Sequence, residues 1–224
     1  MSSHGKTWWG QRFIAALEEQ MDAGRLQRGR SYGGPSRILG FEIAADGAVS
    51  ATVRGNINPY FGVTKEPRYK VALQLTPIPA KARKALIAQL GSRADLVSQL
   101  LMNEMPDDID AAFAASGFTL LPRSAQDFAR TDCSCPDYAN PCKHIAGVYY
   151  RLANQLDQDQ LLLFELRGLG RARLRAELAK MQKAYLIDIE DIVVVTRDDN
   201  GKVKLHQAVN LTSAGAVGGG FWGM

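Results

Sequence analysis

The sequence predicts an α+β fold, with an N-terminal helix and antiparallel β-sheet, a helical middle and a C-terminal β-hairpin. Three observations predict it. Apolar residues alternate with polar ones from Ile38 to Arg54 and again from Tyr69 to Leu75, the period of a half-buried strand. The period lengthens to three and four between Pro79 and Gly117, which is helical. β-type residues then return at Val193–Val195 and at Val203 and Leu205, around an Asn200-Gly201 turn signal.

Taken in order, Trp9, Phe13, Ala16, Leu17 and Met21 form one apolar stripe, with Thr7 placed as N-cap and Gly24 as stop. Trp8 and Trp9 lie about 100° apart on a helix, so Trp9 is assigned to the stripe and Trp8 to a half-covered position open to a protein partner. Arg25–Arg37 holds four arginines, three glycines and no acid, which reads as an irregular basic segment. Leu39, Phe41 and Ile43 form the inward face of the first strand, and Val49, Ala51 and Val53 that of the second. Asp46-Gly47 turns the chain between them. Tyr69, Val71, Leu73 and Leu75 make a third strand, and Ile57–Val63 is a candidate fourth.

Leu86 and Leu90, then Leu96, Leu100 and Leu101, then Ile109 and Phe113 mark three short helices broken at Gly91 and Pro106. Ile145, Val148, Tyr149, Leu152 and Leu156 mark another helix, and Leu169–Lys183 a further one. The stretch from Thr212 to Met224 is rich in small residues before Phe221 and Trp222 and reads as a flexible tail. The predicted units are residues 1–117, 118–156, 157–211 and the tail 212–224.

The chain has 224 residues, 46% hydrophobic and 22% charged. Those values belong to folded proteins and exclude disorder throughout. Lys and Arg number 27 against 23 Asp and Glu, a net charge of +4. That balance permits a nucleic-acid partner without requiring one. Three cysteines cannot close into a full set of internal disulfides. The first ten residues lack an apolar secretion signal and no apolar run nears the length of a bilayer span, so a reducing cytoplasmic setting is expected. The pattern G-x-x-x-x-G-K-[ST] is absent; G-x-S-x-G occurs once, at Gly29–Gly33 in the basic segment, and G-x-G-x-x-G once, at Gly218–Gly223 in the small-residue stretch, neither of them directly after a strand signal, and no enzymatic activity is expected.

All three cysteines and one of the three histidines fall together: Cys133, Cys135, Cys142 and His144 read C-x-C-x6-C-x-H. Two short arms of soft donors on one loop suit a tetrahedral zinc ion. Three accidental thiols or a redox pair are the alternatives, and C-x-C lacks the two-residue spacer of thioredoxin-type chemistry. Four protein ligands leave no open position, so the zinc is expected to be structural. Zn²⁺ with three thiolates carries −1, bringing the chain to +3, with Arg130 and Lys143 placed either to offset that charge or to point into water.

The four residues resemble a SWIM zinc finger, whose signature is C-x-C, a variable gap, then C-x-H. The resemblance extends over about residues 120–156 and implies a small ββα-like zinc module. Trp8-Trp9-Gly10-Gln11-Arg12-Phe13 and Arg28-Gly29-Arg30-Ser31-Tyr32 also resemble bacterial SWIM-containing proteins. The resemblance implies one zinc ion and a role in DNA or protein interaction, often beside an Snf-type DNA-dependent ATPase or helicase. A purely protein-protein adaptor is the alternative.

Arg25, Arg28, Arg30 and Arg37, with Tyr32 among them, are the candidate nucleic-acid-binding residues, against the alternative of a solvated basic linker. Lys81, Arg83 and Lys84 in one helical first turn, and Arg171, Arg173, Arg175, Lys180 and Lys183 around Leu174, Leu178 and Met181, read first as surface. His4 and His206 lack a partner acid or nucleophile, so no catalytic residue is assigned. Asp107, Asp108 and Asp110 read as a helix start rather than a second metal site.

Overall fold

The computed structural model describes residues 5–190, 193–197 and 203–207. Its elements are α1 (Trp8–Glu18), α2 (Ala23–Tyr32), β1 (Ile38–Ile43), β2 (Val49–Arg54), β3 (Arg68–Leu75), α3 (Ala80–Gly91), α4 (Ala94–Leu101), α5 (Ile109–Ala114), β4 (Phe128–Cys133), α6 (Lys143–Leu156), α7 (Leu162–Leu166), α8 (Arg171–Glu190), β5 (Val193–Arg197) and β6 (Val203–Gln207). The α+β class is as the sequence predicts. His4, the 199–201 turn and the tail 212–224 lie outside the described residues, as does the side chain of His206.

Strands β1 to β4 form one antiparallel sheet in sequence order, and β5 pairs with β6 in a separate two-stranded sheet. Val49 faces Leu73 and Ala51 faces Val71 across β2 and β3. With Val53 and Leu75 they form the buried face, as alternation demands. The turn before β2 needs Gly47: φ is +85°, and an added Cβ would lie 2.6 Å from the carbonyl oxygens of Glu165 and Leu166 in α7.

The inner face is covered by α6, whose Ile145, Val148, Tyr149, Leu152 and Leu156 are all buried. α1 crosses it, clamped by a Phe13–Tyr149 ring stack at 4.3 Å and by the Tyr149 hydroxyl donating to the Phe13 carbonyl at 2.8 Å. Thr7 is the N-cap of α1, accepting from the Gly10 amide, and Asp157 beyond the end of α6 accepts from the Thr7 amide and hydroxyl at 3.0 and 2.7 Å. α3, α4 and α5 are the three predicted short helices, and α3 and α4 pack on α8. No helix among the described residues is long and apolar enough to cross a membrane.

Four local expectations are corrected. Residues 25–32 are not irregular: they belong to α2, which starts where the Asp22 carboxylate caps the Arg25 amide. Gly24 therefore lies inside a helix, and α1 stops earlier, at Glu18. Residues 57–63 are a 3-10 turn, Pro59–Phe61, closed by an Asn58–Val63 bridge. The fourth strand is Phe128–Cys133 instead. Leu39 is exposed, because a bulge between Ile38 and Gly40 shifts the β1 register against β2.

Candidate metal centre

The first arm of the centre is the end of a sheet strand. Cys133 pairs opposite Val71 at the edge of the sheet. The Ser134 amide donates to the Lys70 carbonyl at 2.9 Å, and the Lys70 amide donates to the Ser134 hydroxyl at 2.9 Å. Those two bonds hold the spacer of C-x-C in line with β3, leaving Cys135 just past the strand. The second arm is the start of α6: Cys142 is its N-cap in extended conformation and His144 sits in its first turn. The linking loop is tied back by the Asn140 amide, which donates to the Thr131 carbonyl at 2.7 Å, and by the Ala139 amide, which donates to Asp137 at 3.2 Å.

The three sulfurs and one imidazole nitrogen all lie within 4.8 Å of one another. His144 Nδ1 is 3.9 Å from Cys133 Sγ and 3.8 Å from Cys142 Sγ. Zinc bonds of about 2.0–2.3 Å in a tetrahedron require ligand-to-ligand edges of roughly 3.5–3.8 Å. The donors are therefore already near metal-binding spacing, with Nδ1 turned to the sulfurs. Cys142 and His144 are buried, and Cys133 and Cys135 half-buried.

The electrostatics agree with a thiolate site. The Cys142 thiol is pulled down to about 4 by the Cys133 thiol hydrogen-bonded to it, with His144 and the Ile145 amide adding to the effect. That amide belongs to the first turn of α6, where an anion is favoured. Cys133 is pushed up, first by its hydrogen bond to Cys142 and then by burial; Cys135 is pushed up first by burial. Three sulfurs this close cannot all ionise without a cation among them, and Zn²⁺ supplies it. The residues fit one structural zinc ion, and four protein donors complete its coordination.

Residues distant in sequence build the wall behind the imidazole. The His144 ring lies 4.9 Å from the Tyr32 ring, edge to face, and 4.6 Å from Tyr69. Its Nε2 is buried with no hydrogen-bond partner, so the two tyrosine rings are its surroundings. Tyr69 was legible as an inward strand position, but nothing in its spacing tied it or Tyr32 to the metal.

The basic cluster is partly absorbed into this construction. Arg25 forms ion pairs with Asp22 at 3.1 Å and Asp137 at 3.7 Å and lies over the Tyr138 ring, which ties α2 to the zinc loop. Arg30 pairs with Glu18 at 3.0 Å and lies over Tyr150. Arg37 lies over Tyr32, 5.0 Å from the ring centre. Arg28 is exposed on α2. Arg130 pairs with Asp132 at 2.6 Å instead of facing the metal, whereas Lys143 lines a cleft beside His144. Arg83 donates to the Ile78 carbonyl at 2.8 Å. Asp108 pairs with Arg93 and the buried Asp110 with Arg12, so two of the three acids at the start of α5 are engaged by arginines.

Trp8 and Trp9 both pack half-buried against the core, their rings 5.8 Å apart and perpendicular. The Trp9 indole donates to the Leu156 carbonyl at 2.9 Å.

α2 reaches the zinc helix through small residues. A Cβ on Gly29 would stand 2.4 Å from the Ala146 Cβ, and one on Gly147 would stand 2.6 Å from the Tyr32 Cβ. Only bare backbone permits so close a crossing.

Comparison with known proteins gives the centre its family. The chain is 39% identical over 176 residues to the Mycobacterium tuberculosis protein described as "Uncharacterized protein Rv2102", covering 78% of this chain and 59% of that protein. It thus spans about three fifths of the length of the relative it matches. No solved structure matches it. Residues 119–153 match the SWIM zinc finger family, a span that contains all four clustered ligands. The chain therefore carries a SWIM zinc finger, with Cys133, Cys135, Cys142 and His144 as its zinc-binding set.

Proposed function

We propose that this chain is a non-enzymatic, zinc-stabilised binding module that engages DNA through the basic residues of α2, in the service of an Snf-type DNA-dependent ATPase or helicase. The observation that carries the reading is the seating of α2. Its contact with Ala146 and the Arg25–Asp137 pair fasten it to the two sides of the metal loop, so the zinc that orders the loop also orders a basic helix. A saturated metal contributes folding free energy rather than reactivity, which supports a binding role.

Backbone binding needs positive side chains within reach of phosphates and no base-specific contact. Arg28 is exposed, and the Arg30 pair with Glu18 is more than a third exposed on both sides. Surface pairs of that kind contribute only about 0–1 kcal/mol, so a phosphate can replace the carboxylate at little cost.

The test is the salt dependence of duplex DNA binding by the zinc-loaded protein. If Arg25, Arg28, Arg30 and Arg37 all reach phosphates, log K falls with log salt at a slope of about −3 to −4. R28A/R30A should flatten that slope by about half, and removing the zinc should abolish binding. A slope near zero refutes the DNA reading. Recovery of one stoichiometric protein partner, insensitive to moderate salt and to R28A/R30A, would establish the adaptor alternative.

A further inference from the structure

A cleft of about 530 Å³ opens beside the zinc centre, with Tyr32, Tyr69 and His144 among its walls and Asn56, Asn58 and Lys143 among its polar groups. That volume is in the range of small-ligand sites, roughly 300–1,000 Å³. It combines an aromatic surface with two exposed carboxamides and one ammonium group. A carboxamide offers both a donor and an acceptor, the pairing that a nucleobase edge presents, while an ammonium group is a point charge suited to a phosphate.

The two loops beside the cleft are unusual for what they expose. Among the described residues, the exposed large hydrophobic side chains are Leu39, Ile57, Tyr60, Met102 and Tyr138. Three of these five belong to the cleft's own loops. Ile57 stands between Asn56 and Asn58, Tyr60 sits in the 3-10 turn closed by the Asn58–Val63 bridge, and Tyr138 follows Asp137, another cleft residue. Tyr60 is 89% exposed and Tyr138 94% exposed. Arg25 lies 5.5 Å from the centre of the Tyr138 ring, a cation held next to an aromatic platform.

The surrounding charge is mainly positive, and Asp137, the acid on the cleft wall, is paired with Arg25 at 3.7 Å. Residues 22–37 and 54–70 together hold eight Lys and Arg against only Asp22 and Glu66. Platform aromatics spaced by amides and cations are how proteins hold single-stranded nucleic acid, whose unpaired bases present ring faces that a duplex keeps stacked inside. A folded protein partner instead asks for a continuous patch with an apolar, charge-depleted centre, and here the aromatics are separated by polar and basic groups.

We propose that this cleft and its two loops form a binding site for single-stranded nucleic acid, with one nucleotide in the cleft and neighbouring bases stacked on Tyr60 and Tyr138. The inference rests on the nucleic-acid reading above and narrows it from backbone contact with a duplex to recognition of unpaired bases. Asn56 and Asn58 meet the base in the cleft, and Lys143 meets its phosphate.

The experiment compares zinc-loaded wild type with Tyr60→Ala, Tyr138→Ala, their double variant and Asn58→Ala. Fluorescence anisotropy is read on a short oligothymidylate, on an oligodeoxyadenylate, an oligodeoxyuridylate and an oligoribouridylate of the same length, and on a short duplex. Both tyrosines are exposed, so the variants should keep wild-type zinc content and circular dichroism. Wild type should bind the single strands more tightly than the duplex. Each tyrosine substitution should weaken single-strand binding by roughly 5- to 150-fold, the effect of losing about 1–3 kcal/mol of stacking, with the salt slope and duplex affinity unchanged. Asn58→Ala should change the preference among homopolymers of different base. The deoxyuridylate and ribouridylate arms, which share one base, identify which sugar the site takes.

Unchanged single-strand affinity in the double variant, with salt-dependent duplex binding intact, overturns the cleft proposal and leaves the DNA reading standing. Binding of neither strand form at low salt overturns both. Binding of polyglutamate with the same dependence on Tyr60 and Tyr138, and none of oligothymidylate, assigns the cleft to an acidic polypeptide and also overturns the proposal.

Discussion

Substituting Gly29 by alanine tests how the basic helix is held against the zinc helix. The new methyl carbon would lie 2.4 Å from the Ala146 Cβ and 3.4 Å from the Lys143 carbonyl oxygen. Carbon atoms pack at about 3.5–4.0 Å, so α2 and α6 must part by roughly 1–1.5 Å. No rotamer relieves the contact, because both atoms are attached directly to backbone. Forcing a methyl group into a filled interface costs about 1–3 kcal/mol, while exchanging glycine for alanine inside a helix returns about 1 kcal/mol. G29A should therefore be neutral to destabilising by about 2 kcal/mol, and A146G alone should lose about 1 kcal/mol of helix propensity. The double variant moves the methyl group from one helix to the other and should lie close to wild type. Urea denaturation of the four zinc-loaded proteins gives the coupling between the sites, expected at about 1–3 kcal/mol. A G29A protein stabilised by the full helix-propensity gain, with effects that add to those of A146G, would refute a backbone-close crossing of α2 on α6.

Three further outcomes follow from the structure. Cys142→Ser removes the ligand that is also the N-cap of α6; purified protein should fall from about one zinc equivalent to less than about a tenth, and amide exchange in α2 should quicken with that in α6. Retained zinc would refute the ligand assignment. Arg167 is 3% exposed and donates to the Leu120 and Thr76 carbonyls at 2.9 and 3.0 Å, so Arg167→Leu leaves two acceptors unpaired and should cost about 2–5 kcal/mol in chemical denaturation; a loss below about 1 kcal/mol would contradict that bonding. The Asp22 carboxylate is held below its ordinary value first by the Arg25 amide it caps. A lowered folded-state value means stability that is present above the unfolded pKa, near 3.9, and is lost as pH falls through the folded one. Helicity of α2 followed by NMR should therefore decline in wild type below about pH 4. Asp22→Asn, which keeps an acceptor that cannot titrate, should lack that contribution, and an identical acid limb in both proteins would refute it.

What was legible in the sequence had a local cause. The β1–β3 alternation, the three short helices and the α6 stripe repeat within a few residues, and the zinc ligands announce themselves because their spacing is set by one small ion. What was illegible depended on partners elsewhere in the chain. α2 has few apolar residues and two internal glycines, poor helix material on its own, and it is helical because Gly29 and Tyr32 seat it on Ala146 and Gly147. β4 reads Phe-Ala-Arg-Thr-Asp-Cys, too polar to announce a strand; pairing with β3 makes it one. α7, with the sequence Leu-Leu-Phe-Glu-Leu, is an apolar run whose period cannot be told over five residues. Leu39 alternates correctly and is still exposed, since a bulge moves the strand out of phase with its sequence. The cleft tyrosines and asparagines come from three separate segments that only the fold brings together.

The position of Cys133 has a consequence for the edge of the sheet. This one residue ends a strand at the sheet margin and supplies a metal ligand, so zinc fastens the last strand of the sheet to the helix beneath it. In a metal-starved cell that fastening is lost, and β4 is held mainly by its ladder to β3. When it peels away, the backbone of β3 becomes an open template for another chain. The finger thus adds a second hold on the strand that covers the β3 edge, beyond the ladder itself.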